Sequence, residues 1–406
     1  DFGGRKRYAR DMERILRNWN CPAKKCYVFI RNTLGRLVKS QRRTRGTFMS
    51  ALSNESFSHY RCVEAALPFS AVAQRLLIGG ISVEKRIRIP NTELSLYPIG
   101  LGTVDAGLKW DGPEADRIFG TYLEQGGNVI DTAHVYSDWV PGEKARSERV
   151  VGDWLSRSKK RSQIVLITKG GHPDMTRPVP DLHESRLTHK DMAEDLDGSL
   201  MQLRTDYIDL YFYHRDNEAQ SVEEEIDVME EFVKAGKIRY YGCSNWSAKR
   251  MQEADAYCAR KGYRGFAADQ SLLNLGMKYM KPLADDTLGY MKDEAFQYHV
   301  DNGNNLAMPY MGNCSGFFHI LEAKGEEGVR ENPYYTPGNM EAARKIKELR
   351  KKYDCSLTQA ILGFFFCQPF TCVPLYGSSN PERIIDACRT LEIPFTAEDY
   401  RYVLGD

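Results

Sequence analysis

From about residue 85 the chain alternates two kinds of segment. Short runs rich in β-branched and aromatic residues recur at LYPIGLGT (96–103), NVIDTA (128–133), IVLITKG (164–170), YIDLYFYH (207–214), IRYYGCSN (238–245), FAADQS (266–271), NLAMPYM (305–311) and CVPLYGS (372–378). Their apolar residues fall at successive rather than alternate positions, which predicts strands buried on both faces. Between them lie charged stretches with apolar residues at helical spacing, at 114–125, 144–157, 190–203, 221–235, 247–261 and 341–353, often opened by Asp, Ser or Thr. Eight strands alternating with helices predict an α/β fold in which a parallel sheet closes on itself, the (β/α)8 or TIM barrel. An open doubly wound sheet is the structural rival; eight units with no second domain favour the barrel.

Residues 1–83 do not share this pattern. They include the basic run QRRTRG and a small-residue stretch, AALPFSAVA, that predicts a short helix, and the first 80 residues carry 16 Lys/Arg against 5 Asp/Glu. The rest of the chain carries 40 against 50, so the net charge of +1 conceals a basic segment and an acidic body. A charge run with no accompanying motif is ordinarily solvated, so no nucleic-acid partner is expected. The chain opens at Asp1 rather than at a methionine, and 1–83 is read as a disordered or non-native extension of a single domain over 84–406. The ten cysteines form no C-x-x-C pair. A body of this size needs no disulfide staples, so reduced thiols and a cytoplasmic location are expected. No apolar run reaches the roughly 18 residues of a membrane span, and DFGGRKRYAR lacks the apolar centre of a signal peptide.

On such a barrel, chemistry gathers at the C-terminal ends of the strands. Asp131, Lys169, His214, Asn245, Gln270 and Tyr310 all fall at or near those ends, and Tyr136 follows Asp131 by five residues. A polar residue that ends a strand is more often a cap or a turn former. Six at one rim, however, would need six separate structural explanations. No G-x-G-x-x-G follows a strand, since Gly100–Leu101–Gly102 runs into Thr103–Val104, and a Rossmann module is not indicated. A metal-dependent hydrolase on the same barrel would draw on His134, His172, His214 and Asp131 as ligands. Against it, the first strand ends in GLGT with no histidine pair and Lys169 would crowd a cation, so no metal is expected.

The segment from about 86 to 400 resembles the aldo-keto reductases, on GLGT, N-V-I-D-T-A-x-x-Y, I-T-K, D-Y-I-D-L-Y-x-x-H, G-x-S-N-W and GSSNPER, in the family's order. TKGGH, the insertion after it and C-S-G-F-F near residue 314 resemble a bacterial subgroup. The resemblance implies an oxidoreductase that passes hydride between NADP(H), or alternatively NAD(H), and a small carbonyl/alcohol substrate such as an aldehyde, ketone or sugar. In it Tyr136 would be the proton donor, Lys169 the cation that lowers a phenol pKa of about 10, Asp131 the anchor of the lysine, and His214 a neutral imidazole orienting the carbonyl. Gly102, Thr103, Ser244, Asn245, Gln270 and Tyr310 would hold the cofactor, Tyr310 by stacking on the nicotinamide ring. Gly377, Ser378 and Ser379, ahead of a helix opened by Pro381, would hold its phosphate end, with Arg383 on the 2′-phosphate. Gly377 and Ala387 stand where many members have lysine and asparagine, which leaves the choice between the two cofactors open. Trp139, His172, Phe317 and Phe318 are candidate pocket walls, and the insert from His172 to about Lys190 a candidate lid. The rival within the family is a nucleotide-binding regulatory protein with little turnover.

Overall fold

The computed structural model describes residues 86–406, so the segment 1–83 and its expected helix lie outside the described residues. The described chain opens with an antiparallel hairpin, β1 (Ile87–Arg88) and β2 (Ser95–Leu96). Eight strands then form one parallel sheet: β3 (Gly100–Gly102), β4 (Val129–Asp131), β5 (Val165–Gly170), β6 (Ile208–Tyr213), β7 (Ile238–Ser244), β8 (Ala268–Gln270), β9 (Leu306–Ala307) and β10 (Leu375–Tyr376). Neighbours pair in chain order and β10 returns to β3. The seam between β9 and β10 is closed by the parallel bridge of Ala307 to Cys372 and by Val373 N–H donating to Ala307 O and Leu375 N–H to Pro309 O, both at 2.9 Å. The sheet therefore has no free edge and is a (β/α)8 barrel.

Helices α1 (Gly112–Glu124), α2 (Arg146–Ser158), α3 (His189–Leu203), α4 (Val222–Lys234) and α5 (Ala248–Lys261) follow β3 to β7 in turn. After β8 comes α6 (Asp293–Asp301); after β9 come α7 (Phe317–Lys324), α8 (Pro337–Tyr353) and α9 (Leu357–Phe366); α10 (Pro381–Arg389) and α11 (Ala397–Leu404) end the chain. The predicted helices match α1–α5 and α8 to within a few residues. The run LYPIGLGT is an exception, because it divides between β2 and β3 across Pro98, which has no N–H to give a ladder. Helix α9 gave no amphipathic signal because nine of its ten residues are buried, which leaves no polar face to set a period.

Inside the barrel, Val129, Val165, Ile167, Leu210, Phe212, Ala268, Leu306 and Leu375 form one core cluster with Ile87, Ile89, Leu94 and Leu96 of the hairpin. These strand residues precede the polar residues at the strand ends, so the hairpin plugs the end of the barrel opposite the C-terminal ends of the strands. Side chains alternate between the two faces of a strand. The inward column therefore runs from Val129 to Asp131, from Val165 through Ile167 to Lys169, from Phe212 to His214, from Ala268 to Gln270, and from Met308 to Tyr310. It turns polar at the same level in each strand. The outward residues, among them Ile130, Leu166, Tyr211 and Tyr213, join the larger core beneath the helices.

Helix α1 is tied to the barrel wall by Tyr122, whose hydroxyl donates to Ile99 O at 2.7 Å and accepts from Val129 N–H at 3.1 Å. The ring lies so close to Gly127 that a Cβ there would sit 2.3 Å from it. Tyr122→Phe leaves a buried carbonyl and a buried amide unpaired and should cost about 1–3 kcal/mol of stability, read from urea unfolding. An unchanged midpoint would show that the two groups find other partners.

Candidate active site

Lys169 stands near the end of β5, where the inward column has become polar, and its side chain is only 2% exposed. Its ammonium donates to Asp131 Oδ1 at 2.8 Å, to Thr132 O at 2.7 Å and to Tyr136 OH at 3.3 Å. An ammonium has three donors, and all are used. The second oxygen of Asp131 accepts from Gln270 Nε2 at 2.7 Å, so the carboxylate joins β4, β5 and β8 across the barrel mouth. Tyr136 reaches Lys169 from a run of turns after β4, in which Tyr136 N–H donates to Ala133 O and Val140 N–H to Ser137 O. These residues and His214 line a cavity of about 510 Å3, together with Gly102, Thr103, Ser244, Asn245, Gln270, Tyr310 and Gly377. A larger cavity of about 1420 Å3, beside α9 and α11, contains none of them.

The electrostatics separate the members of the cluster. For Lys169, burial opposes the charged form, but the Asp131 carboxylate outweighs it and holds the amine above its ordinary pKa. Burial pushes the Asp131 carboxyl up against the pull of Lys169 and Gln270. We take the pair as ionised, because every charged atom has a partner in place. Tyr136 departs from the expectation: burial of its hydroxyl raises the phenol pKa, and the attraction of Lys169 offsets this only in part. The group is therefore a protonated phenol. His214 is driven well below the ordinary histidine value by burial, by His172 and by Arg215, and is a neutral imidazole. Its Nδ1 is buried without a partner among the described residues, which leaves the other nitrogen to the cavity.

The remaining sequence candidates divide. Asn245, at a left-handed φ of 66°, donates to His214 O and Ser244 Oγ and accepts from Gly289 N–H and Tyr310 OH, so its amide is fully occupied within the protein. It is no helix cap; Ser247 caps α5. Ser244 donates to Gln270 O at 2.6 Å. The Thr103 hydroxyl is bound to Asp131 O and Ser147 Oγ, bracing the end of β4. Gly377, Ser378 and Ser379 lead to the N-terminus of α10, capped by Asn380. Arg383 is exposed there, and its guanidinium has no ion pair or hydrogen bond among the described residues. His172 stacks edge-on against His214 with ring centroids 4.8 Å apart, whereas Trp139 is 43% exposed and is not among the residues that line the cavity. Phe317 and Phe318 do not line the pocket: both are buried in the larger core beneath the helices. The insert 172–188 contains no helix or strand. The His134 ring, one of the ligands the metal alternative would draw on, turns outward to Glu148 and Ser199. Among the described residues no three His, Cys, Asp or Glu side chains are grouped to hold an ion.

Sequence reasoning missed Arg215, which follows His214 directly. Its guanidinium donates to Thr287 Oγ1, His214 O and Asp285 Oδ2, strapping the loop after β8 to the mouth. The run H-R-D was the signal available. Ser137 was missed too: it is buried at φ 81° and its hydroxyl has no partner among the described residues. Such a backbone costs of order 1–3 kcal/mol in a non-glycine residue, and an orphaned hydroxyl about 1–3 more. Glycine gives back roughly 0.5–1 through its freer unfolded chain. Ser137→Gly should therefore stabilise the fold by about 1 kcal/mol or more in denaturant unfolding; a loss of stability would mean that the hydroxyl has a partner in solution.

The Aldo/keto reductase family model matches residues 98–404. The aldo-keto reductase YhdN of Bacillus subtilis is 35% identical over 310 residues, covering 73% of this chain and 85% of its own. Norsolorinic acid reductase A of Aspergillus parasiticus is 32% identical over 328 residues, 78% of this chain and 79% of that one. An aryl-alcohol dehydrogenase of Pestalotiopsis microspora is 24% identical over 327 residues, 78% and 80% of the two chains.

Proposed function

The chain belongs to the aldo/keto reductase family, and from that premise we propose that it reduces a carbonyl compound, or oxidises the matching alcohol, with NADP(H) as hydride carrier and Tyr136 as general acid/base. The observation that carries this reading is the Lys169 ammonium, anchored on Asp131 and 3.3 Å from the Tyr136 hydroxyl, in a cavity with a neutral imidazole. The cofactor fits what the chain offers at both ends. The mouth is a cavity of about 510 Å3 whose wall includes Tyr310 and Gln270, and the exposed Arg383 stands unpaired in the first turn of α10, where a phosphate is favoured. When bound, the dinucleotide supplies or accepts hydride.

The chain's own groups supply the rest. The cavity-facing nitrogen of His214 orients the carbonyl oxygen toward Tyr136. The phenol gives its proton to that oxygen as negative charge develops, and Lys169 stabilises the phenolate left behind. A phenol held above its ordinary pKa would be a poor acid alone; the adjacent ammonium makes the transfer feasible by lying where the charge appears. Asp131 and Gln270 keep the ammonium aimed. In oxidation the same groups run in reverse, with the phenolate as base.

Two relatives are named for aryl alcohols and for norsolorinic acid, and Val104 presents an exposed apolar side chain at the cavity. Aromatic carbonyls are the substrates to test first. Tyr136→Phe should reduce turnover by roughly 10²-fold or more while leaving NADPH affinity within about twofold, since it removes the proton and keeps the ring. Loss of cofactor binding in that variant would remove the assignment. Arg383→Ala should weaken NADPH roughly tenfold or more and NADH hardly at all, in fluorescence titrations. Equal losses would mean that Arg383 does not read the 2′-phosphate.

A further inference from the structure

Behind the catalytic cluster, on the outer side of the barrel wall, lies a second polar cluster that the reaction does not use. His134 is two residues before Tyr136, and its backbone N–H donates to Lys169 O at 3.0 Å. Its Nδ1 lies 3.3 Å from Glu148 Oε2 and 3.4 Å from Ser199 Oγ, and its Nε2 4.0 Å from Asp195 Oδ1. Glu148 is completely buried, and its other oxygen accepts from Thr168 Oγ1 at 2.6 Å. Thr168 is the chain neighbour of Lys169. One carboxylate thus grips both the turn that carries Tyr136 and the strand that carries Lys169. Asp195 accepts from Gly171 N–H at 2.8 Å, beyond the end of that same strand, and pairs with Arg186. Helix α3 packs against the imidazole at Gly198, where a Cβ would come within 2.8 Å of the ring.

We propose that His134 is the positioning residue of this site, its ion pair with Glu148 setting the separation of the Tyr136 hydroxyl from the Lys169 ammonium. The inference rests on the reading of Tyr136 as proton donor. A buried carboxylate without a cation is costly; the other charged tie between this loop and α2, Glu143 with Arg146 and Arg149, is more exposed and lies seven residues beyond Tyr136. The charged groups that face the imidazole are Glu148 from α2, Asp195 from α3 and Asp138 from its own loop, with Arg186 competing for Asp195. Burial lowers the imidazole pKa, but these carboxylates outweigh it and the net direction is upward. With that sign, the ion pair persists to higher pH than an ordinary histidine would allow and is lost as pH rises through the elevated pKa of His134.

The test uses the full chain with NADPH and whichever aldehyde it reduces. His134→Ala should lower kcat on the order of tenfold to hundredfold, with cofactor Kd and substrate KM within about twofold. His134→Gln, which keeps a neutral donor toward Glu148, should recover part of kcat and remove the alkaline decline expected of the unmodified enzyme. In the unmodified protein, histidine-selective NMR should place His134 above the ordinary imidazole value, in step with that decline. Wild-type kcat and pH profile in His134→Ala would overturn the proposal. So would an imidazole that titrates low or out of step with kcat, a measurement that decides the matter even if the variants do not fold. Tyr136→Phe separates the two claims. If that variant stays fully active, the proton-donor reading fails; if it is inactive while His134→Ala is unaffected, only the positioning role fails.

Discussion

The site depends on keeping an ammonium charged where water cannot reach it. Lys169 is buried, and a buried charge is tolerated only when its donors are satisfied and a counter-charge is close. Asp131, Thr132 O and Tyr136 OH meet that demand, and Gln270 meets the demand of Asp131 in turn. The requirement acts on the fold as well as on the chemistry. Asp131, Lys169 and Gln270 come from strands that are remote in sequence, and the pair is satisfied only when β4, β5 and β8 close into one ring in the correct register.

The barrel makes this possible by layering. The hairpin and the lower inward residues are apolar, so they fill and dry the barrel interior up to the level at which the inward positions turn polar. Above that level the loops take over. Asn245 ties the end of β6, Gly289 and Tyr310 together, and Arg215 straps the loop after β8 to the backbone of His214. Both are polar side chains whose bonds go to the protein, and they fix the shape of the mouth rather than add a reactive group. The neutrality of His214 follows from the same enclosure, since burial and the cations around it disfavour a second positive charge.

Much of this was legible in the order of residues. The eight strand-like runs each contain or overlap a barrel strand, and Asp131, Lys169 and His214 mark strand ends because inward alternation carries them there. The failures have physical reasons. Pro98 hid a hairpin inside an apparently continuous strand. Helix α9 is buried almost all round and carries no periodic signal. Phe317 and Phe318 follow C-S-G in a motif suggestive of a pocket, but a helix turns them into the core. The four hydrogen bonds that occupy the Asn245 amide became visible only once Gly289 and Tyr310 were seen beside it. Arg215 was passed over because a cation next to a candidate catalytic histidine announces nothing until Asp285, seventy residues on, is found opposite it.

By itself the sequence determined the alternation of strand and helix, the parallel sheet and the types of group that end its strands, because these follow from periodicity and side-chain chemistry over a few residues. Tertiary structure alone decided the sheet's closure through Ala307 and Cys372, the depth of Tyr136, and hence the upward direction of its pKa. It also decided the pairing of His134 with Glu148 and Thr168 behind the site. Those outcomes depend on distance and on exclusion of water, and both are properties of the folded ring rather than of any segment within it.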